Sequence, residues 1–243
     1  AKAIPAKEKN YKANVENILK KCSSKTRICY IANPNNPTGT YLNINEVRSL
    51  REGLPKKCLL VIDSAYSEYV DKSDYNDSIL YAKERSDIIV THTFSKIFAI
   101  PALRLGWAYC PKNVAEVMNK IRPAFNINSY AQCIGKIVLE DKKFLVKSIK
   151  YNLFWRGWLE SQFKNLKIEV ISGVANFVLI KFKNALIANK YLSYLEKRNI
   201  YIRKLDSYKL ADCLRISVGL ETENRTLIRF TKQFLKENKF DII

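Results

Sequence analysis

Apolar residues along the first half of the chain recur mainly as short continuous runs, with polar segments between them. A run of this kind is typical of a parallel strand that is covered on both faces. Helix-spaced apolar positions also occur, first at Val15, Ile18, Leu19 and Cys22. The pattern predicts helices near 15–22 and 46–53, and strands at 27–32, 59–62, 88–90 and 105–110. Strands that alternate with helices favour an α/β sheet with crossover connections.

The pattern changes near residue 146. Aromatic residues at 3/4 spacing predict a long helix over 144–166, followed by short strand-like runs and further helices. The predicted strands are 168–171, 176–182, 200–203 and 213–218, and the predicted helices are 186–198 and 223–238. We therefore expect a large domain with a mainly parallel sheet over 1–145, and a smaller α+β domain over 146–243, with the long helix as connector.

Composition narrows the class of protein. Of 243 residues, 47% are hydrophobic and 27% are charged, which excludes disordered and collagen-like chains. The six cysteines form neither a C-x-x-C motif nor a Cys/His cluster, so the sequence suggests no zinc site and no disulfide framework. No window approaches 18 uninterrupted apolar residues, and no signal-peptide pattern is present. We expect a cytoplasmic protein without a membrane partner.

The net charge of +19, from 42 Lys+Arg against 23 Asp+Glu, invites a nucleic-acid interpretation. The basic residues are, however, spread along the chain, often beside an acidic residue, as in solvated surfaces. We expect no specific nucleic-acid partner, although a positive field would help to collect an anionic substrate. A basic interaction protein that keeps its fold without catalysis remains the alternative from another functional class.

Four polar clusters fall near the ends of the predicted strands: 33–39, 63–66, 93–96 and Arg104. Ligands of open parallel sheets gather at the carboxyl ends of the strands. Each cluster also has a purely structural interpretation. The first is a turn signal, Asp63 can cap a helix, and Lys96 can be a solvated lysine.

Taken together, the clusters predict a site for a phosphorylated aldehyde. Lys96 offers an amine, while Thr93, Ser95 and Arg104 offer phosphate-binding groups. Asp63 could face a protonated ring nitrogen, an interaction of about 4 kcal/mol at an effective dielectric near 20 and about 4 Å. A lysine that forms a Schiff base, with an aspartate beside the pyridinium nitrogen, is the pattern of pyridoxal phosphate enzymes.

Four motifs carry a family resemblance that runs from about residue 10 to the C-terminus. They are Asn33-Pro-Asn-Asn-Pro-Thr-Gly39, Val61-Ile-Asp-Ser-Ala-Tyr66, Thr93-Phe-Ser-Lys-Ile-Phe-Ala99 continuing to Leu103-Arg-Leu-Gly106, and Leu214-Arg-Ile-Ser-Val-Gly219. In order and spacing they resemble the pyridoxal phosphate-dependent aminotransferases of fold type I (class I/II), and within these the histidinol-phosphate aminotransferases.

The resemblance implies a role for each matching residue. Lys96 would form the Schiff base and move the proton, and Asp63 would bind the pyridine nitrogen. Asn36 and Tyr66 would hydrogen-bond the cofactor's phenolic oxygen. The phosphate would be held by Thr93, Ser95 and Arg104, and the anionic end of the substrate by Arg215 with Arg203. The lone histidine, His92, is expected to have a packing role, and no metal ligand is implied.

The resemblance also implies the reaction. An amino group would move between histidinol phosphate (imidazole-acetol phosphate) and 2-oxoglutarate or glutamate, and the enzyme would be a homodimer with small anionic amino and keto substrates. Open alternatives are an aromatic or aspartate-type amino-acid aminotransferase and a phosphothreonine-type decarboxylase.

The sequence departs from the family in one respect. Family members carry an upstream part with an N-terminal arm, a turn for the cofactor phosphate and an aromatic that stacks on the ring, and nothing here matches it. The chain therefore resembles the C-terminal two thirds of such an enzyme. We expect an incomplete sheet whose exposed edges favour association, and weak binding of pyridoxal phosphate.

Overall fold

A computed structural model describes residues 2–238, which form two compact units. Unit 1 comprises the chain up to Asn35 together with Thr40–Ile149, and unit 2 comprises Asn36–Gly39 together with the chain from Lys150 onward. The boundary between Ile149 and Lys150 falls within one long helix. The roles predicted for the two domains, cofactor binding in the first and a smaller α+β fold in the second, stay predictions.

Helices and strands alternate along the first part of unit 1. Its helices and strands are α1 (Val15–Leu19), β1 (Ile28–Ala32), α2 (Ile44–Gly53), β2 (Leu59–Asp63), α3 (Ile79–Lys83), β3 (Ile88–Thr93), β4 (Gly106–Tyr109), α4 (Lys112–Ile121) and α5 (Ser129–Glu140). The boundary between the units lies in α6 (Lys142–Asn165). Unit 2 continues with β5 (Glu169–Ile171), β6 (Phe177–Lys181), α7 (Ala185–Glu196), β7 (Arg203–Lys204), β8 (Cys213–Ser217) and α8 (Glu221–Asn238). Within the described range, none of these helices combines the length and the apolar character needed to cross a membrane.

Asparagine side chains start several of these helices. Asn14, Asn43, Asn128 and Asn184 each accept a hydrogen bond from a backbone N–H in the first turn, of α1, α2, α5 and α7 respectively. At α2 the cap is reciprocal, because the Glu46 side chain also accepts from the Asn43 N–H. Such caps satisfy donors that the helix leaves unpaired at its start.

The sheet of unit 1 has the order β1-β2-β3-β4. The first three strands are parallel, whereas β4 pairs antiparallel to β3. Crossover connections with a helix therefore join β1 to β2 and β2 to β3, but not β3 to β4. The connection from β3 contains only a short 3-10 turn, Pro101–Leu103, and no α-helix, so the chain returns alongside β3 in the opposite direction.

Side chains alternate across this sheet. Residues such as Cys29, Ile31, Leu60 and Val90 face the helices and form the buried core of unit 1. The opposite face is more open, since Ile28 and Tyr30 on β1 are exposed. That open face is not what the continuous apolar runs predict for a parallel sheet.

Unit 2 contains an antiparallel sheet of order β5-β6-β8-β7. Its core packs residues of β6 and β8 against α6, α7 and α8, with Phe163, Tyr191 and Phe234 fully buried. The strand expected at 200–203 is wrong in its bounds. Ile200 and Ile202 pack against the core, but backbone pairing begins only at Arg203.

One buried charge stabilises the turn between α2 and β2. Arg51 is only 2% exposed, and its guanidinium donates to the carbonyls of Cys58, Leu54 and Pro55 at 2.5–3.1 Å. Its Nε lies 3.5 Å from the Asp87 carboxylate. The Pro55 carbonyl also accepts from the Cys58 N–H, so the guanidinium chiefly satisfies the carbonyls of Leu54 and Cys58 after the end of α2.

We expect Arg51→Ala to lower the free energy of unfolding by about 3 kcal/mol, because it leaves buried carbonyls without a donor. Arg48→Ala, in an exposed position of the same helix, should cost less than about 1 kcal/mol. Urea unfolding of both variants measures the difference, and equal losses would contradict the role given to Arg51.

Candidate active site

Parallel pairing brings two of the predicted clusters to one end of the sheet in unit 1. Asp63 is the last residue of β2, and it lies opposite Ala32 of β1 and Thr91 of β3. Thr93 is the last residue of β3. The segments that follow both strands therefore start from the same edge, where open parallel sheets bind their ligands.

The Asp63 carboxylate is held by two donors. Its Oδ1 accepts from the backbone N–H of Ala65 at 3.1 Å, and its Oδ2 accepts from the phenol of Tyr30 at 2.9 Å. Partial burial of the phenol, followed by the hydrogen bond and the charge of Asp63, raises the pKa of Tyr30 to about 12. Sequence reasoning missed Tyr30. The only available signal was its position on β1, where its side chain lies on the same face of the sheet as Asp63 of β2.

Lys96 lies in the segment after β3. Phe94 and Ile97 are buried and anchor this segment, whereas Lys96 between them is half-buried. The Lys96 Nζ lies 5.3 Å from the centroid of the Tyr66 ring, which is itself buried. The structure thus brings the predicted amine and the predicted phenol together.

The three residues predicted to bind phosphate also lie together. The Thr93 Oγ1 accepts from the Ser95 N–H at 3.0 Å, which closes a tight turn after β3. The Arg104 guanidinium donates to Ser95 Oγ at 3.4 Å and to the Pro101 carbonyl at 2.6 Å. Arg104 has a left-handed backbone with φ of 55°, uncommon for a residue other than glycine. Two hydroxyl groups and a guanidinium in one short segment form a suitable anion site.

His92, in β3, has the packing role that the sequence predicts. It is only 7% exposed, and its ring stacks on Trp107 with a centroid distance of 4.3 Å. Its Nδ1 lies 3.3 Å from the Glu68 carboxylate and 3.4 Å from Ser67 Oγ. These contacts link β3 to the turn that follows Tyr66.

Unit 2 contains the other predicted residues, Asn36, Arg203 and Arg215. The Arg215 guanidinium donates to Asn36 Oδ1 and lies 4.9 Å from the centroid of the Phe177 ring. Its Nε is buried and has no hydrogen-bond partner among the described residues. A buried, unsatisfied N–H of a cation is costly unless an acceptor is supplied.

The two predicted substrate arginines share one cavity. Arg203 of β7 lies directly opposite Arg215 of β8 in the antiparallel register. Both line a cavity of about 670 Å³ within unit 2, together with residues from the start of α8. This arrangement concentrates positive charge and suits a small anion.

A close backbone contact holds the Asn36 segment in unit 2. Gly39 has φ of +75°, and its carbonyl accepts from the Val174 N–H at 2.8 Å. A Cβ added at Gly173 would lie 2.8 Å from the Gly39 Cα and 3.0 Å from its carbonyl carbon. Glycine at both positions is therefore required for this approach.

The predicted site residues thus form two groups. Unit 1 brings together Asp63, Tyr66, Thr93, Ser95, Lys96 and Arg104, and unit 2 brings together Asn36, Arg203 and Arg215. The first group offers an amine, a carboxylate and an anion site, and the second offers two guanidinium groups.

Comparison with known proteins identifies the family. The model of the family "Aminotransferase class I and II" matches residues 2–229. The chain therefore belongs to the class I and II aminotransferase family.

Individual relatives agree with this assignment. The histidinol-phosphate aminotransferase of Maricaulis maris is 44% identical over 241 residues, which are 97% of this chain and 66% of that protein. That of Paramagnetospirillum magneticum is 40% identical, over 97% of this chain and 65% of the relative. The chain thus spans about two thirds of the length of these curated relatives. The resemblance to histidinol-phosphate aminotransferases expected from the motifs is confirmed.

A solved structure confirms the fold class. The crystal structure of histidinol-phosphate aminotransferase from Sinorhizobium meliloti, determined in complex with pyridoxal-5'-phosphate, matches with a TM-score of 0.86 at 23% identity. The match covers 92% of this chain and 62% of that one. The predicted α/β class, the fold of type I aminotransferases with a mainly parallel sheet in the larger part, is therefore correct.

We expect Gly173→Ala to lower the free energy of unfolding by about 1–3 kcal/mol, because the new methyl group meets the backbone of Gly39. Gly157→Ala is the matched control. A Cβ at Gly157 in α6 meets nothing within 4 Å, so this variant should be neutral or gain up to about 1 kcal/mol. Thermal and urea unfolding measure both changes, and an unchanged Gly173→Ala protein would rule out the close contact.

Proposed function

We propose that this chain belongs to a pyridoxal phosphate-dependent aminotransferase that moves an amino group between histidinol phosphate and 2-oxoglutarate. The observation that carries the proposal is the cluster in unit 1, where the Lys96 amine lies against Tyr66 in the segment that also presents Thr93, Ser95 and Arg104. The family and the relatives' names support the same activity.

The donor set fits pyridoxal phosphate. Its aldehyde suits the Lys96 amine, its phosphate suits the hydroxyl and guanidinium groups after β3, and its ring nitrogen suits the carboxylate of Asp63. When bound, the cofactor supplies an electron sink for the bond-breaking at the substrate α-carbon. The amine, the phosphate-binding groups and the carboxylate all lie in unit 1.

The chain's own residues then have separate tasks. The Lys96 amine would accept the proton that leaves the substrate α-carbon and would deliver it to the cofactor carbon that bore the aldehyde oxygen. The Asp63 carboxylate would accept a hydrogen bond from the ring nitrogen, while Thr93, Ser95 and Arg104 would hold the phosphate end. Tyr66 would donate a hydrogen bond to the phenolic oxygen of the cofactor ring. The family resemblance implies that Asn36 would hydrogen-bond the same oxygen, and this role stays a prediction.

Substrate choice follows from Arg203 and Arg215. Two guanidinium groups in one cavity, one with an unsatisfied buried Nε, suit the phosphate ester of histidinol phosphate better than a single carboxylate. An aromatic amino acid brings a single carboxylate to this pair of arginines, whereas aspartate brings two, so kinetics with each substrate distinguish these alternatives. A phosphothreonine-type decarboxylase would use the same pair, and product analysis distinguishes it by release of carbon dioxide.

The proposal includes a homodimer in the cytoplasm. Both rest on the family resemblance. A basic interaction protein without catalysis would instead bind nucleic acid with a strong salt dependence and would show no transamination.

We expect Lys96→Ala to lose covalent capture of the cofactor and at least about 10²-fold of turnover, since the amine that forms the bond and moves the proton is gone. Borohydride reduction followed by peptide mass spectrometry locates the adduct. Lys56→Ala, an exposed lysine of the same unit, is the control and should behave as the unchanged protein. An adduct that persists without Lys96 would refute the assignment.

We expect Arg215→Met to raise KM for histidinol phosphate about 30-fold, the effect of losing a charged hydrogen bond. Arg229→Met, an exposed arginine of α8 that does not line the cavity, should leave KM unchanged. Steady-state kinetics with 2-oxoglutarate as the amino acceptor measure both variants. Equal rates for histidinol phosphate and for free aromatic amino acids would count against the proposed substrate.

A further inference from the structure

We propose that Tyr30 is a positioning residue of the candidate site: its phenol orients the Asp63 carboxylate toward the ring nitrogen of the cofactor. This inference rests on the proposed function, because Asp63 needs a fixed orientation only if it faces a bound ring. No other residue in the described part of β1 or β2 donates a side-chain hydrogen bond to Asp63.

The register of the sheet makes the contact possible. Tyr30 of β1 lies opposite Val61 of β2, and Asp63 lies two residues further along, on the same face. Such diagonal neighbours are within reach of a long aromatic side chain. The Tyr30 hydroxyl thereby approaches Asp63 from the sheet, while the Ala65 N–H approaches it from the turn beyond the strand.

The two donors restrict the carboxylate in a way that one donor does not. The terminal torsion of an aspartate is broad, so a carboxylate held at one oxygen can still rotate. In this chain Oδ1 is held by Ala65 and Oδ2 by Tyr30, which fixes the plane of the group. A carboxylate accepts about four hydrogen bonds, so capacity remains for the ring N–H. A charge oriented before the ligand arrives needs no reorganisation when the ligand binds.

The phenol stays a donor under all ordinary conditions. Partial burial and the neighbouring Asp63 raise the pKa of Tyr30 to about 12, so its hydroxyl keeps its proton well above neutral pH. The contact is therefore present over the whole range in which an aminotransferase would work.

Unit 1 contains a chemically matched pair that serves as a control. The Tyr41 hydroxyl donates to Asp74 Oδ1 at 2.8 Å, and burial with nearby carboxylates raises the pKa of Tyr41 to about 12 as well. Asp74 belongs to neither predicted group of site residues. Removal of either hydroxyl deletes one phenol–carboxylate hydrogen bond, but only Tyr30 acts on Asp63.

The experiment compares Tyr30→Phe with Tyr41→Phe in the full protein that carries this chain. Equilibrium titration with pyridoxal phosphate should show a dissociation constant about 5-fold higher for Tyr30→Phe and within about 1.5-fold of the parent for Tyr41→Phe. With ¹⁵N-labelled pyridoxal phosphate, the NMR shift of the ring nitrogen should move toward the unprotonated form only in Tyr30→Phe. A role in stability alone would leave that shift unchanged.

A second measurement needs no cofactor. In protein with ¹³C-labelled tyrosine rings, Asp63→Asn should lower the titration midpoint of Tyr30 below about 12 and leave that of Tyr41 in place. An unchanged midpoint overturns the inference, as does a Tyr30→Phe protein with parental affinity and parental ring protonation. If the parent takes up no pyridoxal phosphate at all, the proposed function fails first and this inference fails with it.

Discussion

Parallel pairing of β1, β2 and β3 is the constraint on which the candidate site in unit 1 depends. Each strand contributes a buried apolar face to the same core, so the register cannot slip without moving apolar side chains to the open face. Because the three strands run in one direction, their carboxyl ends meet at one edge. The hydrophobic contacts between the sheet and its helices therefore determine where the polar groups at its carboxyl edge lie.

Much of this arrangement could be predicted from the sequence. The apolar runs at 59–62 and 88–90 predict β2 and β3, and the polar residues Asp63 and Thr91 follow them directly. The apolar run predicts the strand, and the polar residue after it marks the edge of the sheet. Six of the predicted residues consequently lie in one unit, although their roles toward a cofactor stay proposals.

Other features depend on contacts that a single sequence does not reveal. The apolar stretch that forms β4 predicts a strand, but its antiparallel direction depends on how residues 94–105 turn back along β3. The helices α3, α4 and α5 were not predicted, although Val114, Val117 and Ile121 recur in α4 at helical spacing; this apolar stripe is not buried in the structure. The role of Tyr30 was not predicted because Asp63 lies 33 residues away in the sequence, and only the register of β1 and β2 brings the two side chains together.

The segment Asn36–Gly39 belongs to unit 2 although unit 1 surrounds it in the sequence. The polypeptide therefore passes from one unit to the other at three places instead of one. An exchange of gene segments at residue 150 would separate Val174 from the Gly39 carbonyl that it binds, and Arg215 from Asn36. Evolution by recombination at this boundary would thus have to preserve a four-residue loop encoded far upstream, which ties the ancestry of the two units together.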